Sequence, residues 1–213
     1  MKITHLLPFF LLFFEKNAVP AQIVVAAEKM NAIYPAVDNL ISVAVSDVPD
    51  SNLLVTASIG ELTKTDNLGH YCWHFCEWTT RYATLTLRDT VANEEVAVMK
   101  FRVQKLPSPV PLLGLPHRGC GNGEFKAQGG ISAVIQNFDF EIRPEVVSYI
   151  VTYLAKDQDP VVYINYGSRW SAEVMPLIQK AKPGDIYFFD HIRYRVGCDP
   201  LVREAGGLVF KVK

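Results

Sequence analysis

The stretch KFRVQKLPSPVPLLGLPHRGCGNG, residues 100–123, divides the chain. It begins as the end of a strand, with Phe101 and Val103 on one face and Arg102 on the other, and then meets Pro107, Pro109, Pro111 and Pro116. Proline has no amide hydrogen for a sheet ladder and fixes φ, so a central strand cannot run through these positions. Alternating prolines favour an extended, semi-rigid spacer. Gly114, Gly119, Gly121 and Gly123 then supply turns and flexibility. Residues 106–123 are thus expected to form a Pro/Gly-rich linker between a domain at 22–105 and a domain at 124–213, each of ordinary small-domain size.

On the N-terminal side of the linker, short β-rich runs alternate with turn residues. The candidate strands are Ile23–Ala26, Ala32–Tyr34, Ile41–Ser46, Leu53–Ser58, His70–Glu77, Arg81–Arg88 and Glu95–Val103. Pro35, Asp38-Asn39, Pro49-Asp50, Asp66-Asn67, Gly69 and Asn93 separate them. Ala83, Leu85 and Leu87 alternate with Thr84, Thr86 and Arg88, and Ala97, Met99, Phe101 and Val103 share one face of the last run. About seven short strands at this spacing predict an immunoglobulin-like β-sandwich, with an antiparallel barrel as the alternative.

On the C-terminal side, Ile131–Ile142 is expected as a strand with Phe138, Phe140 and Ile142 on one face. Val146–Leu154, Val161–Tyr166, Ile186–Arg195 and Leu208–Val212 are further strands. One helix is expected over Ala172–Ala181, with Ser171 as N-cap and Pro183-Gly184-Asp185 as its stop; Pro176 inside it predicts a kink or a later start. The fold class is therefore mostly β: a sandwich followed by a second β-rich domain with one α-helix.

The whole chain has 213 residues, 49% of them hydrophobic, and a formal net charge of -1, enough apolar content for a core and no basic footprint for nucleic acid. Lys2, the apolar run Leu6–Phe14 and the small-residue site Val19-Pro20-Ala21 have the order of a secretory signal peptide, residues 1–21, cleaved after Ala21. A membrane-spanning helix needs ~20 apolar residues, so no membrane span is expected after cleavage, and the mature protein is expected in the periplasm.

His70, Cys72, His74 and Cys76 fall on one face of a strand, opposite Tyr71, Trp73 and Phe75. Imidazole and thiolate suit zinc or copper, but four side chains along one strand spread over roughly 20 Å, and only two neighbours could reach one ion. No metal site is assigned. Cys72 and Cys76 lie ~13 Å apart on a strand, beyond the ~7 Å between Cα atoms that a disulfide spans. Export favours oxidised thiols, and Cys120 with Cys198 is the more plausible pair; free or intermolecular thiols are the alternative.

No catalytic residue or cofactor site is assigned. HExxH, GxSxG and the P-loop are absent from the sequence, and Gly119, Gly121 and Gly123 do not complete GxGxxG. Asp185, Asp190 and His191 are close in sequence, but polar residues at strand ends account for them. Trp73, Trp78 and Trp170 would suit a carbohydrate platform if exposed.

The chain resembles the C-terminal periplasmic region of GldM (PorM), a component of the gliding and type IX secretion machinery of Bacteroidetes. The similar stretches are Lys29-Met30-Asn31 with Tyr34, Val37–Ile41, Gly69-His70-Tyr71, Phe101-Arg102-Val103 followed by Pro107, Pro109 and Pro111, Ala133 with Asn137–Phe140, and Gly184-Asp185. The family commonly has proline where Leu40 stands, and the His70–Cys76 face is outside its pattern. The resemblance implies two consecutive β domains that dock periplasmic or outer-membrane-associated proteins of a secretion and motility complex without catalysis, with a homodimer left open. The alternative function is an exported carbohydrate- or metal-binding β-sandwich protein.

Overall fold

The computed structural model describes residues 23–27, 31–76, 78–114, 121–156 and 158–213. The expected signal peptide and Cys120 lie outside the described residues. Mostly β architecture is what the structure has, with strands in several antiparallel sheets and two short helices.

Among the described residues, eight strands make the N-terminal half: β1 (Ile23–Ala27), β2 (Ala32–Ile33), β3 (Asn39–Val45), β4 (Leu53–Ala57), β5 (Glu61–Lys64), β6 (His70–His74), β7 (Tyr82–Asp89) and β8 (Glu94–Val103). They form two four-stranded sheets, ordered β1-β3-β6-β5 and β2-β8-β7-β4. In chain order this is the immunoglobulin-type division into an ABED sheet and a CFG sheet, with the short β2 added in parallel beside β8. Alternation drives it: Ala83, Leu85 and Leu87 of β7 and Phe101 and Val103 of β8 are buried between the sheets, while Thr84, Thr86 and Arg102 point away. Trp73 sits at the centre, fully buried and edge-on to Phe101 at 5.6 Å, its indole N–H donating to the carbonyl of Ile59 (2.8 Å). The sequence expectation lacked β5, whose residues Glu61–Lys64 are all exposed or half-buried and show no alternation.

The second core is built from residues 113–212. Strand β9 (Val110–Leu112) pairs with β10 (Ser132–Val134), and α1 (Asn122–Lys126) lies between them in sequence. Then come β11 (Pro144–Leu154), β12 (Val161–Tyr166), α2 (Val174–Gln179), β13 (Ile186–Val196), β14 (Arg203–Ala205) and β15 (Leu208–Lys211). The sheet order is β12-β11-β13, and β14 and β15 lie in tandem along the far side of β13. Phe125 of α1 is fully buried against Tyr187 of β13, with ring centroids 4.6 Å apart.

Three expectations are corrected here. The stretch expected as a linker, 106–123, carries β9 and the start of α1, with Pro111 buried and opposite Ala133. A strand with one neighbour can hold a proline whose missing N–H faces away from the ladder. Ile131–Ile142 is not one strand: pairing stops at Val134, and Asn137 turns the chain with φ 53°, a left-handed conformation asparagine tolerates. The single expected helix is shorter, Val174–Gln179, with Pro176 in its first turn where the missing N–H costs nothing, and α1 is a second helix. The expected cap at Ser171 is corrected as well: α2 starts from Glu173 without a side-chain cap, and Ser171 Oγ, two residues earlier, accepts from the Val174 N–H at 3.3 Å.

Candidate functional site

At the junction of the two halves four short segments meet: 34–38 and 74–76 from the sandwich, 138–140 and 197–198 from the C-terminal half. The ring of Tyr34 packs edge-on to Phe138 and Phe140, at 5.1 and 5.4 Å. Gly197 has φ 51°, and a Cβ there would stand 2.9 Å from the carbonyl oxygen of Ala36. That close approach brings the turn after β13 onto the sandwich, and glycine meets both demands.

The sandwich side is held by Asn39, only 3% exposed. Its Oδ1 accepts from the Tyr34 N–H (2.8 Å), and its Nδ2 lies 2.9, 3.2 and 3.0 Å from the carbonyl oxygens of Tyr34, Val37 and Trp73. One buried amide thus ties the 34–38 loop to β6, and the Ala36 N–H donates to Phe75 (2.7 Å) just beyond it. On the other side Asp199, 1% exposed, accepts from the Leu201 N–H (2.9 Å) and pairs with the Arg203 guanidinium, which fixes the turn that presents Cys198.

Between these two supports lie His74, Cys76 and Cys198. Cys76 and Cys198 form a disulfide with Cα atoms 5.3 Å apart, inside the usual range. The expected Cys120–Cys198 pairing is therefore corrected: Cys198 is bonded to the sandwich. Sequence spacing could exclude Cys72–Cys76 but held no information on how the two halves dock. The bond pins one half to the other rather than a hinge to its own domain. His74 Nε2 is 3.3 Å from Cys198 Sγ and 4.0 Å from Cys76 Sγ, and its Nδ1 is 2.9 Å from Asp38 Oδ1.

The expected division of the His70–Cys76 run into two faces is what is seen: Tyr71, Trp73 and Phe75 are buried, and His70, Cys72, His74 and Cys76 face outward. The four outward residues act separately at first. His70 pairs with Asp66. Cys72 is a free thiol, raised above the ordinary thiol range by burial and then by the neighbouring Asp38 carboxylate. Only His74 and Cys76 reach the junction.

The other singled-out residues have structural partners. Asp185 is buried, accepting from the Tyr153 hydroxyl and the Lys182 N–H, both at 2.9 Å. His191 faces Glu204 at 3.1 Å on the exposed side of β13. Asp185 thus acts apart from His191, inside the fold. Trp73 and Trp170 are core residues, and Trp78 is exposed, with Lys105 Nζ standing 4.2 Å over its ring. No flat row of exposed tryptophans exists among the described residues. Sequence reading took Asn39 only as a turn residue and did not single out Asn165. Asn165 is fully buried and organises the loop before α2, its Nδ2 near the carbonyls of Gly167 and Arg169 and its Oδ1 accepting from Ser171. A single Asn at a strand end gives no periodic signal.

Two successive family matches cover most of the chain: residues 22–104 match the family described as the GldM third domain, and residues 107–204 the GldM C-terminal domain. No curated protein matches. Among solved structures, the adhesin InvE of Yersinia pseudotuberculosis is 12% identical with a TM-score of 0.30, covering 91% of this chain and 59% of its own. Human protocadherin-24 EC1-2 is 10% identical, TM-score 0.28, with 92% of this chain and 99% of that one covered. SGBP-B of the Bacteroides ovatus mixed-linkage glucan utilization locus is 10% identical, TM-score 0.25, with 85% of this chain and 48% of that one covered. Likeness at these scores bears on neither domain arrangement nor function.

Proposed function

The chain belongs to the GldM family, whose members are components of the gliding motility and type IX secretion machinery, and from that premise we propose that it is a non-catalytic periplasmic module that docks protein partners of this machinery. The C-terminal GldM domains are periplasmic in the family. No helix among the described residues is long and apolar enough to cross a membrane.

The observation that carries the reading is the edge strand β12. It pairs with β11 alone, and its other edge is unpaired by any described strand. Val162, Ile164 and Tyr166 along it are 57%, 55% and 75% exposed. Edge strands are normally blunted by charge, proline or a bulge because their free N–H and C=O groups recruit other chains. An apolar, unblunted edge fits an extended segment of a partner protein that adds a strand, with main-chain bonds for affinity and the alternate side chains for selectivity.

The test is capture from a Bacteroidetes envelope fraction by the purified chain and by Ile164→Lys and Tyr166→Asp variants with unchanged circular dichroism. Wild type recovers identified components of the secretion and motility complex, and the variants lose them. Recovery of none, or equal recovery by the variants, contradicts the proposal. Sedimentation of the chain alone separates self-pairing through β12 from partner docking.

A further inference from the structure

We propose that, once the Cys76–Cys198 bond is reduced, His74, Cys76 and Cys198 form a three-ligand site for Zn2+, so that a metal ion takes over from the disulfide as the link between the two halves. The inference is independent of the docking role of β12.

The ligand atoms are already grouped, all within 4.8 Å of one another. On a tetrahedral zinc with Zn–S of about 2.3 Å and Zn–N of about 2.0 Å, neighbouring ligand atoms stand about 3.5–3.8 Å apart. His74 Nε2 lies 3.3 and 4.0 Å from the two sulfurs, close to that spacing on both sides. Only the two bonded sulfurs have to part. Four donors strung along one strand could not do this; the third ligand comes from the turn after β13.

The imidazole is set for the role. Asp38 Oδ1 stands 2.9 Å from Nδ1; a carboxylate can only accept there, so the tautomer with Nδ1–H donating to Asp38 leaves the Nε2 lone pair on the side of the sulfurs. A carboxylate behind the far nitrogen is the usual second partner of a zinc-bound histidine. A disulfide by itself has no need of an imidazole at both sulfurs. Cys72 is not in the group of ligand atoms within 4.8 Å of one another, so the fourth position is left to water. A cleft of about 470 Å³ lined by Ile59, Gly60, Glu61, His74, Phe75 and Cys76 opens onto the cluster and gives reductant and ion a way in.

The chemistry balances in two steps. A dithiol reductant attacks one sulfur, and thiol–disulfide exchange gives two protein thiols and the oxidised, cyclic disulfide of the reductant. Zn2+ then displaces two protons as the two thiols bind as thiolates beside the neutral imidazole.

The experiment uses the full mature chain carrying Cys72→Ser and Cys120→Ser, so that no other thiol can serve. It is reduced anaerobically with a water-soluble phosphine, which becomes the phosphine oxide as water supplies the oxygen and the two protons. Zn2+ is titrated calorimetrically, and Co2+ serves as a spectroscopic substitute. The reduced chain binds one Zn2+, and Co2+ shows thiolate charge-transfer bands; the oxidised chain binds none. Asp38→Asn weakens binding about 10–100-fold, and His74→Ala by at least as much. Absence of uptake by the reduced chain, uptake by the oxidised chain, or undiminished affinity in His74→Ala overturns the proposal. The cobalt spectrum of the reduced parent decides the ligand set even if a variant fails to fold.

Discussion

Among the described residues of the sandwich, the buried side chains are aliphatic or aromatic apart from Asn39, whereas the C-terminal half also buries Ser148, Asn165, Asp185 and Asp199 and packs the phenols of Tyr149, Tyr153 and Tyr187 into its core. Two sheets face to face satisfy most of their backbone through their own ladders. A five-stranded sheet flanked by the short β9–β10 ladder, two short helices and loops buries irregular backbone, and each such N–H and C=O needs a partner. The Tyr187 hydroxyl donates to the carbonyl of Leu177 at 2.7 Å, and Trp170 donates to Gln128 from a loop. The comparison assigns apolar packing as the main support of one half and polar anchoring of loops as a second support of the other.

The largest effect expected from breaking that contrast is at Trp73. Trp73→Ala removes the fully buried centre of the sandwich and costs about 3–5 kcal/mol. Calorimetry is expected to show the sandwich transition falling while that of the C-terminal half stays; a joint shift of both would contradict two separate cores.

Next are the buried amides. Asn165→Ala leaves the Ser171 N–H and the Gly167 and Arg169 carbonyls without their partner, at about 2–3 kcal/mol by the cost of unmade buried hydrogen bonds. Asn39→Ala is expected to cost a similar amount in the sandwich, and in addition to free the Tyr34 loop from Phe138, read as faster proteolytic cleavage near residues 34–38. Equal cleavage in both variants would remove Asn39 from the junction.

A smaller effect, about 1 kcal/mol at neutral pH, is expected for Tyr153→Phe, with a distinct alkaline signature. Burial, and then the hydrogen bond to Asp185, push the Tyr153 phenol up to about 12; burial also raises Tyr149 and Tyr187. A folded-state value above the unfolded one means that the folded chain holds its proton longer. The stability this contributes is fully present below the unfolded value near 10 and is lost as pH rises through about 12. The C-terminal half is therefore expected to melt in alkali before the sandwich, where Tyr71 is the one buried tyrosine with a raised value. Tyr153→Phe flattens part of that alkaline loss, seen in urea titrations from pH 9 to 12.

How far these features could be read beforehand depends on whether they leave a local pattern. The alternating runs Ala83–Leu87 and Ala97–Val103 carry period two in the sequence and became β7 and β8. Strand β5 has the burial pattern of an exposed edge and no period to read. The prolines at 107–111 are correctly breakers of a central strand, yet a two-stranded ladder accepts one of them, Pro111. Helix α1 follows a glycine cluster that reads as a turn, and it is held by one side chain, Phe125. The His74–Cys76–Cys198 cluster spans 122 residues between its cysteines, so it exists only through the docking of the two halves.

That docking is the central claim, and peptide mapping of the non-reduced, exported protein by mass spectrometry tests it most directly. The predicted result is one cross-linked peptide pair joining Cys76 to Cys198, with Cys72 carrying an alkylating label. A Cys120–Cys198 pair, or alkylated Cys76 and Cys198 in the native protein, would contradict it.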